Sequence, residues 1–489
     1  MSDATRNLHD IVALNDGVQH TADAHDMARH FANTLFNTMR GGFYCDGYNI
    51  EADAFRHHVV LFNKAVAAHH DAFLNGLHGT ISRADLERQV EAQHDPQLYR
   101  LFLEYLPLTF SRRHGDPSRP WNLFNIRVND AAGRRLISYQ GNWRDIFQNW
   151  EALSLSYPDF INGIIAKFLN ASTIDGYNPY KVTSEGIDWE VIEPENPWSN
   201  IGYWGDHQIV YLLRLLRLSY NHAPEALHAL LGRRIFAFAN VPYRLKSYDD
   251  IVADPKNSIR FDDALHSRIM AGIADYGQDL RLITDANGRV LLTTFTDKLA
   301  ITLLAKLSNF VPEAGIWMNT LRPEWNDANN ALVGNGTSVV TLCYIRQYVD
   351  FLTRFYADAD MSQVMMSDNT LAFMRCIDDA LSLVDHHIAA THSAPIDDVL
   401  RREVTDALGR AGDAYRRVVY AAPAADIVRV DMDEWLNFLH RVLRVADHSI
   451  RLNRRADGLY HAYNLIAFSG NALRVSHLYE MLEGQVAVL

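Results

Sequence analysis

The chain has 489 residues, 48 % of them hydrophobic and 21 % charged, with 46 basic and 59 acidic side chains for a formal net charge of −13. That balance describes a soluble globular protein with ample apolar material for a large core. The negative charge is not gathered into runs, which argues against nucleic acid as a partner.

The N-terminus has no basic stretch followed by an apolar one, and no uninterrupted apolar segment of about 18 residues occurs anywhere, so the expected location is cytoplasmic with no membrane partner. Residues 21–39 and 54–76 carry apolar side chains at helical spacing, Met27, Phe31, Leu35 and Phe36 in the first and Phe55, Val59, Phe62 and Val66 in the second. His57, His58, His69 and His70 come as adjacent pairs that diverge on a helix, and they read as solvated or capping groups rather than metal ligands. After residues 96–108 the loop TFSRRHGDPSRPWNLF places Arg112, Arg113, His114 and Arg119 within eight residues. That grouping suits an anion, phosphate above all, although a solvated basic loop pairing with Asp116 needs no ligand. LFNIRV and RLISYQ flank the turn NDAAGR as a short hairpin, and DLRLITDANGRVLLTTF sets Asn287-Gly288 at a tight turn of a second.

In GNWRDIFQNWEAL, Trp143, Ile146, Phe147, Trp150 and Leu153 fall on one helical face while Arg144, Asp145 and Gln148 cluster near its start. Asp145 in a first turn also suits the helix dipole, with no chemistry required. A helix over 158–171 leads into a connection of more than 30 residues that holds Tyr177, Tyr180, Trp189, Trp198, Tyr203 and Trp204 among Glu190, Glu193, Asp206 and His207. So long an irregular connection in a compact domain points to function. QIVYLLRLLRLS after it is apolar nearly all round, as an inner helix is. Further helices are predicted over 224–239, 262–276, 293–310, 335–357, 369–392, 397–420, 431–453 and 462–483. Cys45, Cys343 and Cys376 lie far apart, give neither a metal spacing nor a disulfide framework, and read as buried thiols in a reducing compartment.

The richest stretch is Pro312–Gly336, which sets Trp317, Arg322, Glu324, Trp325, Asn326, Asp327, Asn329 and Asn330 between two helical segments. Planar apolar faces beside planar amides and guanidinium suit a sugar ring, whose faces are apolar and whose rim is hydroxyl. A carboxylic acid partly desolvated in such a setting stays protonated and serves as a general acid. Asp327 is the expected acid.

GNWRD (141–145), GYWGDHQ (202–208) and RPEWNDANNAL (322–332), in this order on helix-flanking loops, resemble the catalytic modules of carbohydrate-active enzymes built on an (α/α)6 barrel. The resemblance is to inverting glycoside phosphorylases of the cellobiose and β-glucan phosphorylase type, with amylo-glucosidase-like hydrolases as cousins, and it covers residues 140–350. It implies an all-α toroid with short β-hairpin insertions, residues 1–120 forming a helical segment packed on a barrel of residues 121–489. It also implies Asp327 as general acid and Arg144 and Asp145 as the grip on the reacting sugar, with Trp143, Trp204, His207, Arg322, Glu324, Trp325 and Asn326 around the substrate. Glu324 stands where that family has Asp, and Ala328-Asn329 replaces its Gly-Met. The β-sandwich and C-terminal β-domain of those phosphorylases have no counterpart, so a fragment, a split enzyme with a partner chain, a homodimer or a pared-down relative are all compatible with the resemblance.

In phosphorolysis Asp327 protonates the glycosidic oxygen while phosphate, the co-substrate, attacks the opposite face of the anomeric carbon. Arg112, Arg113, His114 or His461 would hold it, and no cofactor or metal is called for. An inverting hydrolase needs a second carboxylate roughly 6.5–9.5 Å away to activate water. Glu190, Glu193 and Asp206 are the candidates, Asp206 doubling as a helix N-cap. A carbohydrate-binding toroid without catalysis is the third reading. A prenyl-cyclising helical barrel is disfavoured, because Asp249-Asp250 and Asp262-Asp263 lack the rest of a metal motif.

Overall fold

The structure, a computed structural model, describes every residue except 1, 16, 19, 110, 113–128, 134, 196–200, 203–207 and 321–331. Its longer helices are α1 (Ser2–Leu14), α2 (Ala24–Gly41), α3 (Ala52–Phe62), α4 (Pro96–Leu103), α5 (Trp143–Ser154), α6 (Ile161–Asn170), α7 (Gln208–His222), α8 (Asp263–Tyr276), α9 (Phe295–Leu307), α10 (Val339–Ala357), α11 (Asp368–Thr391), α12 (Asp398–Ala421) and α13 (Met432–Leu452). Several start where the sequence supplies an acceptor for an orphan N–H. Thr294, Ser338, Ser367 and Asp397 cap α9, α10, α11 and α12 with their side chains, each contact stabilising its helix by roughly 1 kcal/mol.

The helices pack side by side, α7 on α5, α6 and α10, α10 on α13, α13 on α11, and α11 on α12. Helix α9 lies against α7, α11 and α12, and all 13 of its residues are buried, Asp297, Lys298 and Lys306 among them. Helix α6 is buried along almost its whole length as well. An aromatic cluster seats α5 on α6: Trp143 and Phe168 have ring centroids 4.7 Å apart, and Phe147 and Trp150 meet edge-on at 5.2 Å. One buried apolar cluster runs from Tyr44 to Ala446, so residues 44–107 share a core with the helices from α5 to α13. A buried polar knot also ties them in. Arg100 donates to Glu104 at 3.1 Å and to Asp279, Asn63 donates to Asp279 at 2.8 Å, and Asn170 on α6 donates to Glu104 at 2.7 Å.

Two sheets carry the loops. The first is β1 (Ser111–Arg112), β2 (Tyr139–Asn142), β3 (Lys181–Thr183) and β4 (Gly186–Asp188), in that order. The second is β5 (Phe310–Val311), β6 (Gly315–Trp317), β7 (Gly336–Ser338), β10 (Tyr463–Ser469) and β11 (Ala472–His477), with β8 (Gln363–Ser367) and β9 (Ile427–Asp431) forming a separate pair.

Residues 462–483, expected as a helix, are instead the hairpin β10–β11, turned at Gly470-Asn471 and extending the sheet that starts at β5. The helix expected over 224–239 stops at His228, because Arg234–Phe236 pairs with Thr293–Thr294. Around Asn287-Gly288 the turn forms, and its flanks make the single bridge Thr284–Val290. Cys343 is buried and burial pushes its thiol up to about 12, while Cys376 is exposed and Cys45 only half-buried, contrary to the reading of three buried thiols. No helix among the described residues is long and apolar enough to cross a membrane.

Candidate functional site

The turn before β3 and the strand β5 both lie at the C-terminal end of α9, where Gly176 rests on Ala305 and Asn309 reaches Tyr177. Arg112 on β1 pairs with Gln140 on β2, and Gly141 and Asn142, the first residues of GNWRD, pair with Val182 and Lys181 on β3. The Trp143 N–H donates to Tyr180 O at 2.9 Å. The aromatic connection therefore starts alongside the GNWRD strand.

The described residues on either side of the Asp327 segment form a closed neck. Trp317 on β6 pairs with Thr337 on β7, the Trp317 indole N–H donates to Gly334 O at 2.8 Å, and the Gly334 N–H donates to Met318 O at 2.7 Å. The β7 strand pairs in turn with β10, Ser338 opposite Tyr463, which brings His461 near the start of α10. A short polar chain joins this neck to the aromatic connection. Asn319 Nδ2 donates to Asn309 Oδ1 at 2.7 Å, and Asn309 Nδ2 donates to the Tyr177 hydroxyl at 3.0 Å. Tyr177 is set by a tight turn, in which the Thr173 N–H donates to Tyr177 O at 2.7 Å and Thr173 Oγ1 accepts the Tyr177 N–H at 3.0 Å. Gly176 lets that turn lie on α9, since a Cβ there would sit 2.4 Å from Ala305 Cβ and its φ is +87°.

Glu313 clamps the neck from below. It is a non-glycine residue at φ +63°, a conformation that persists only when the surroundings impose it. Its carboxylate accepts from Ile396 N–H at 2.6 Å and Arg401 Nη2 at 2.8 Å, and it meets His448 Nε2 at 3.2 Å. Its backbone N–H donates to Ser449 Oγ, and its carbonyl accepts from Asn453 Nδ2 at 2.8 Å. Burial alone would raise the carboxyl, but the hydrogen bonds from His448, Ile396 and Arg401 outweigh it and hold the group below the ordinary carboxylate range. Residues of α12 and α13, with Asn453 just past α13, thus fix the turn between β5 and β6, which leads toward the Asp327 segment.

Among the described residues several buried polar atoms in or next to these segments have no hydrogen-bond partner: both amide atoms of Asn178 and of Gln208, Asn142 Oδ1 and Trp143 Nε1. Buried polar groups are nearly always bonded, so each of these calls for a partner in water, a ligand or a residue outside the described set. The sequence held a signal for them, since Asn142 and Trp143 sit in GNWRD, Asn178 in the aromatic connection beside Tyr177, and Gln208 at the end of GYWGDHQ. Tyr177 lies in the same aromatic connection, and Glu313 and Asn319 lie within Pro312–Gly336; only Asn309 falls outside every flagged stretch.

Of the expected site residues, Arg322, Glu324, Trp325, Asn326 and Asp327, Trp204, Asp206 and His207, and Arg113 and His114 lie outside the described residues, as do the side chains of Arg112 and Arg144. Asp145 is buried in the first turn of α5. Trp143 was expected against the sugar, but it is 0 % exposed and packed on Phe147 and Phe168, so its ring faces belong to the core. Glu190 is half-buried, its carbonyl accepting from the Tyr243 hydroxyl at 2.7 Å, and Glu193 is exposed. The His461 ring stacks on His477, centroids 3.8 Å apart and planes 8° apart. Burial, aided by nearby Arg455, holds His461 below the ordinary histidine value. A neutral imidazole offers phosphate one donor and no charge, which weakens the expectation for His461. Among the described residues no group of three or more His, Cys, Asp or Glu is placed to hold a metal.

Residues 44–107 match the family model described as glycoside hydrolase family 149 insertion domain 1. No curated protein matches the chain. The match supports a carbohydrate-active enzyme of the glycoside hydrolase or phosphorylase type, and the matched residues are those that Arg100 and its carboxylate partners pin to α6 and to Asp279.

Proposed function

We propose that the protein cleaves a glucosidic bond in an oligo- or polysaccharide with inversion, by phosphorolysis, on a helical toroid of the (α/α)6 kind. Asp327 protonates the leaving oxygen, Arg144 and Asp145 grip the reacting sugar, and the arginines beginning at Arg112 receive phosphate. The observation that carries the reading is the Asn319–Asn309–Tyr177 chain, which ties the neck of the Asp327 segment to a connection whose next strand pairs with GNWRD. Residues well over a hundred positions apart, Tyr177 and Asn319, are thereby linked through side chains, which supports a shared site for the segments they adjoin. The family 149 match supports the same chemistry from another part of the chain, since that family is one of β-glucan phosphorylases.

No protein base is needed, because phosphate is already a nucleophilic anion. Incubation with α- and β-glucan oligosaccharides, with and without inorganic phosphate, tests this directly. Sugar 1-phosphate formed only when phosphate is present is the expected product, and Asp327→Asn is expected to abolish it while the far-UV helical signal persists. Free sugar without phosphate would assign the chemistry to hydrolysis, and bound oligosaccharide without product would leave a binding protein.

A further inference from the structure

A cavity of about 430 Å³ lies at the opposite end of α9 from Asn309, where Thr293 and Asp297 line it. Thirteen residues at about 1.5 Å each put roughly 20 Å of helix between the two places. The starts of three helices meet at its wall, with Gln97 from α4, Asp297 from α9 and Ser367 and Asn369 from α11.

The polar groups of this wall are unequally satisfied. Asp297 is fully used, accepting from Thr293 Oγ1 at 2.6 Å and from the Ser367 N–H and hydroxyl, each at 3.1 Å. Gln97 is not. It is 3 % exposed, its Nε2 donates to Val290 O at 2.7 Å, and its Oε1 has no partner among the described residues. Turning the amide over would only set its oxygen against the Val290 carbonyl. The cavity therefore presents a buried acceptor that asks for a hydroxyl donor, and a bare anion would make that worse. At the rim stand two exposed guanidinium groups, Arg234 and Arg289. Asp285 beside them is engaged by the Asn287 and Arg289 N–H groups of its own turn. Phe238 and Val419 supply apolar wall.

We propose that this cavity binds a small hydroxylated phosphate ester, in the simplest case a sugar phosphate. A hydroxyl donates to Gln97 Oε1, the ring's C–H face lies on the apolar wall, and the phosphate takes Arg234 and Arg289, whose planar forks match its oxygens. The cavity volume falls in the range, about 300–1,000 Å³, that small-molecule sites occupy. Inorganic phosphate has no C–H face for the apolar wall, and a neutral sugar brings no negative charge to the arginines. The site stands apart from the phosphorolysis reading: that one is read at Asp327 and this one at two arginines, so either can fail without the other.

Titration calorimetry of the full chain with glucose 6-phosphate, glucose and inorganic phosphate provides the test. The first carries its phosphate away from the anomeric carbon and is no product of phosphorolysis. Saturable binding of glucose 6-phosphate, about tenfold or more tighter than either glucose or phosphate, is expected. It should weaken by about tenfold or more in the Arg234→Ala/Arg289→Ala double variant and stay within about twofold in Asp327→Asn. Both arginines are exposed, and far-UV circular dichroism checks that the variant is folded; if it is not, the Arg234→Lys/Arg289→Lys pair replaces it, with the same direction of change expected. Absence of saturable binding, phosphate binding as tightly as the ester, indifference to the arginine changes, or loss of binding in Asp327→Asn would each overturn the proposal.

Discussion

Arg100 offers the sharpest test of how residues 44–107 are held to the rest of the molecule. Its guanidinium is 1 % exposed and serves two carboxylates at once, Glu104 on the next turn and Asp279 from a distant segment. Burial alone would pull the guanidinium below its ordinary range, and the two carboxylates more than offset that and hold it above. Arg100→Ala leaves both acids in the core without a counter-charge. Breaking a buried pair from one side costs about 3–5 kcal/mol, against a total stability on the order of 5–15 kcal/mol. The cost should depend on pH with a definite sign. Burial already holds Asp279 above the ordinary carboxylate value even with Arg100 present, and removal of the guanidinium pushes it higher still. A raised acid loses stability as pH climbs through its folded value, so the deficit of the variant should be larger at pH 8 than at pH 5. Urea unfolding followed by far-UV circular dichroism at both pH values measures this. A deficit under about 1 kcal/mol, or one indifferent to pH, would refute the claim that Arg100 neutralises two buried carboxylates.

Three further outcomes concern the neck of the Asp327 segment. Asn309→Leu cuts both side-chain bonds between Asn319 and Tyr177, each worth about 0.5–1.5 kcal/mol net, and steady-state phosphorolysis should show kcat/KM down by about tenfold or more; unchanged kinetics would remove the tie from any role in alignment. Gly315→Ala should destabilise the protein by at least about 1–3 kcal/mol, because its φ is +114° and a Cβ would sit 2.6 Å from the Ser338 carbonyl; a melting temperature equal to that of the parent would contradict this. Glu313 is held below its ordinary value, so its contribution is present above about pH 4.3, the unfolded value, and is lost as pH falls through the folded one. Thermal melts across pH should show Glu313→Gln less stable than the parent at pH 7, with the gap closing below about pH 4.

Long amphipathic segments were legible in the sequence because burial on one face imposes a 3.6-residue period, and α10 to α13 begin and end within a few residues of their expected places. The hairpin β10–β11 was misread for the same reason. Leu465, Ile466, Phe468, Leu473 and Val475 fit a helical stripe about as well as a strand pair, and only Gly470-Asn471 marked the turn. Trp143 shows the limit of composition at the site: tryptophan beside arginine and aspartate suggests a sugar platform, yet the ring is what seats α5 on α6. The roles of Glu313 and Asn309 were invisible because their partners are Arg401 and His448 in one case and Tyr177 and Asn319 in the other, contacts that only the fold creates.

Hydrogen–deuterium exchange with and without a bound oligosaccharide addresses most directly whether these segments share one ligand. Protection should rise together in residues 141–145, 177–183 and 317–336 while β11 is unchanged. Protection in only one of those three stretches, or centred on β10 and β11, would mean that they do not form a common site.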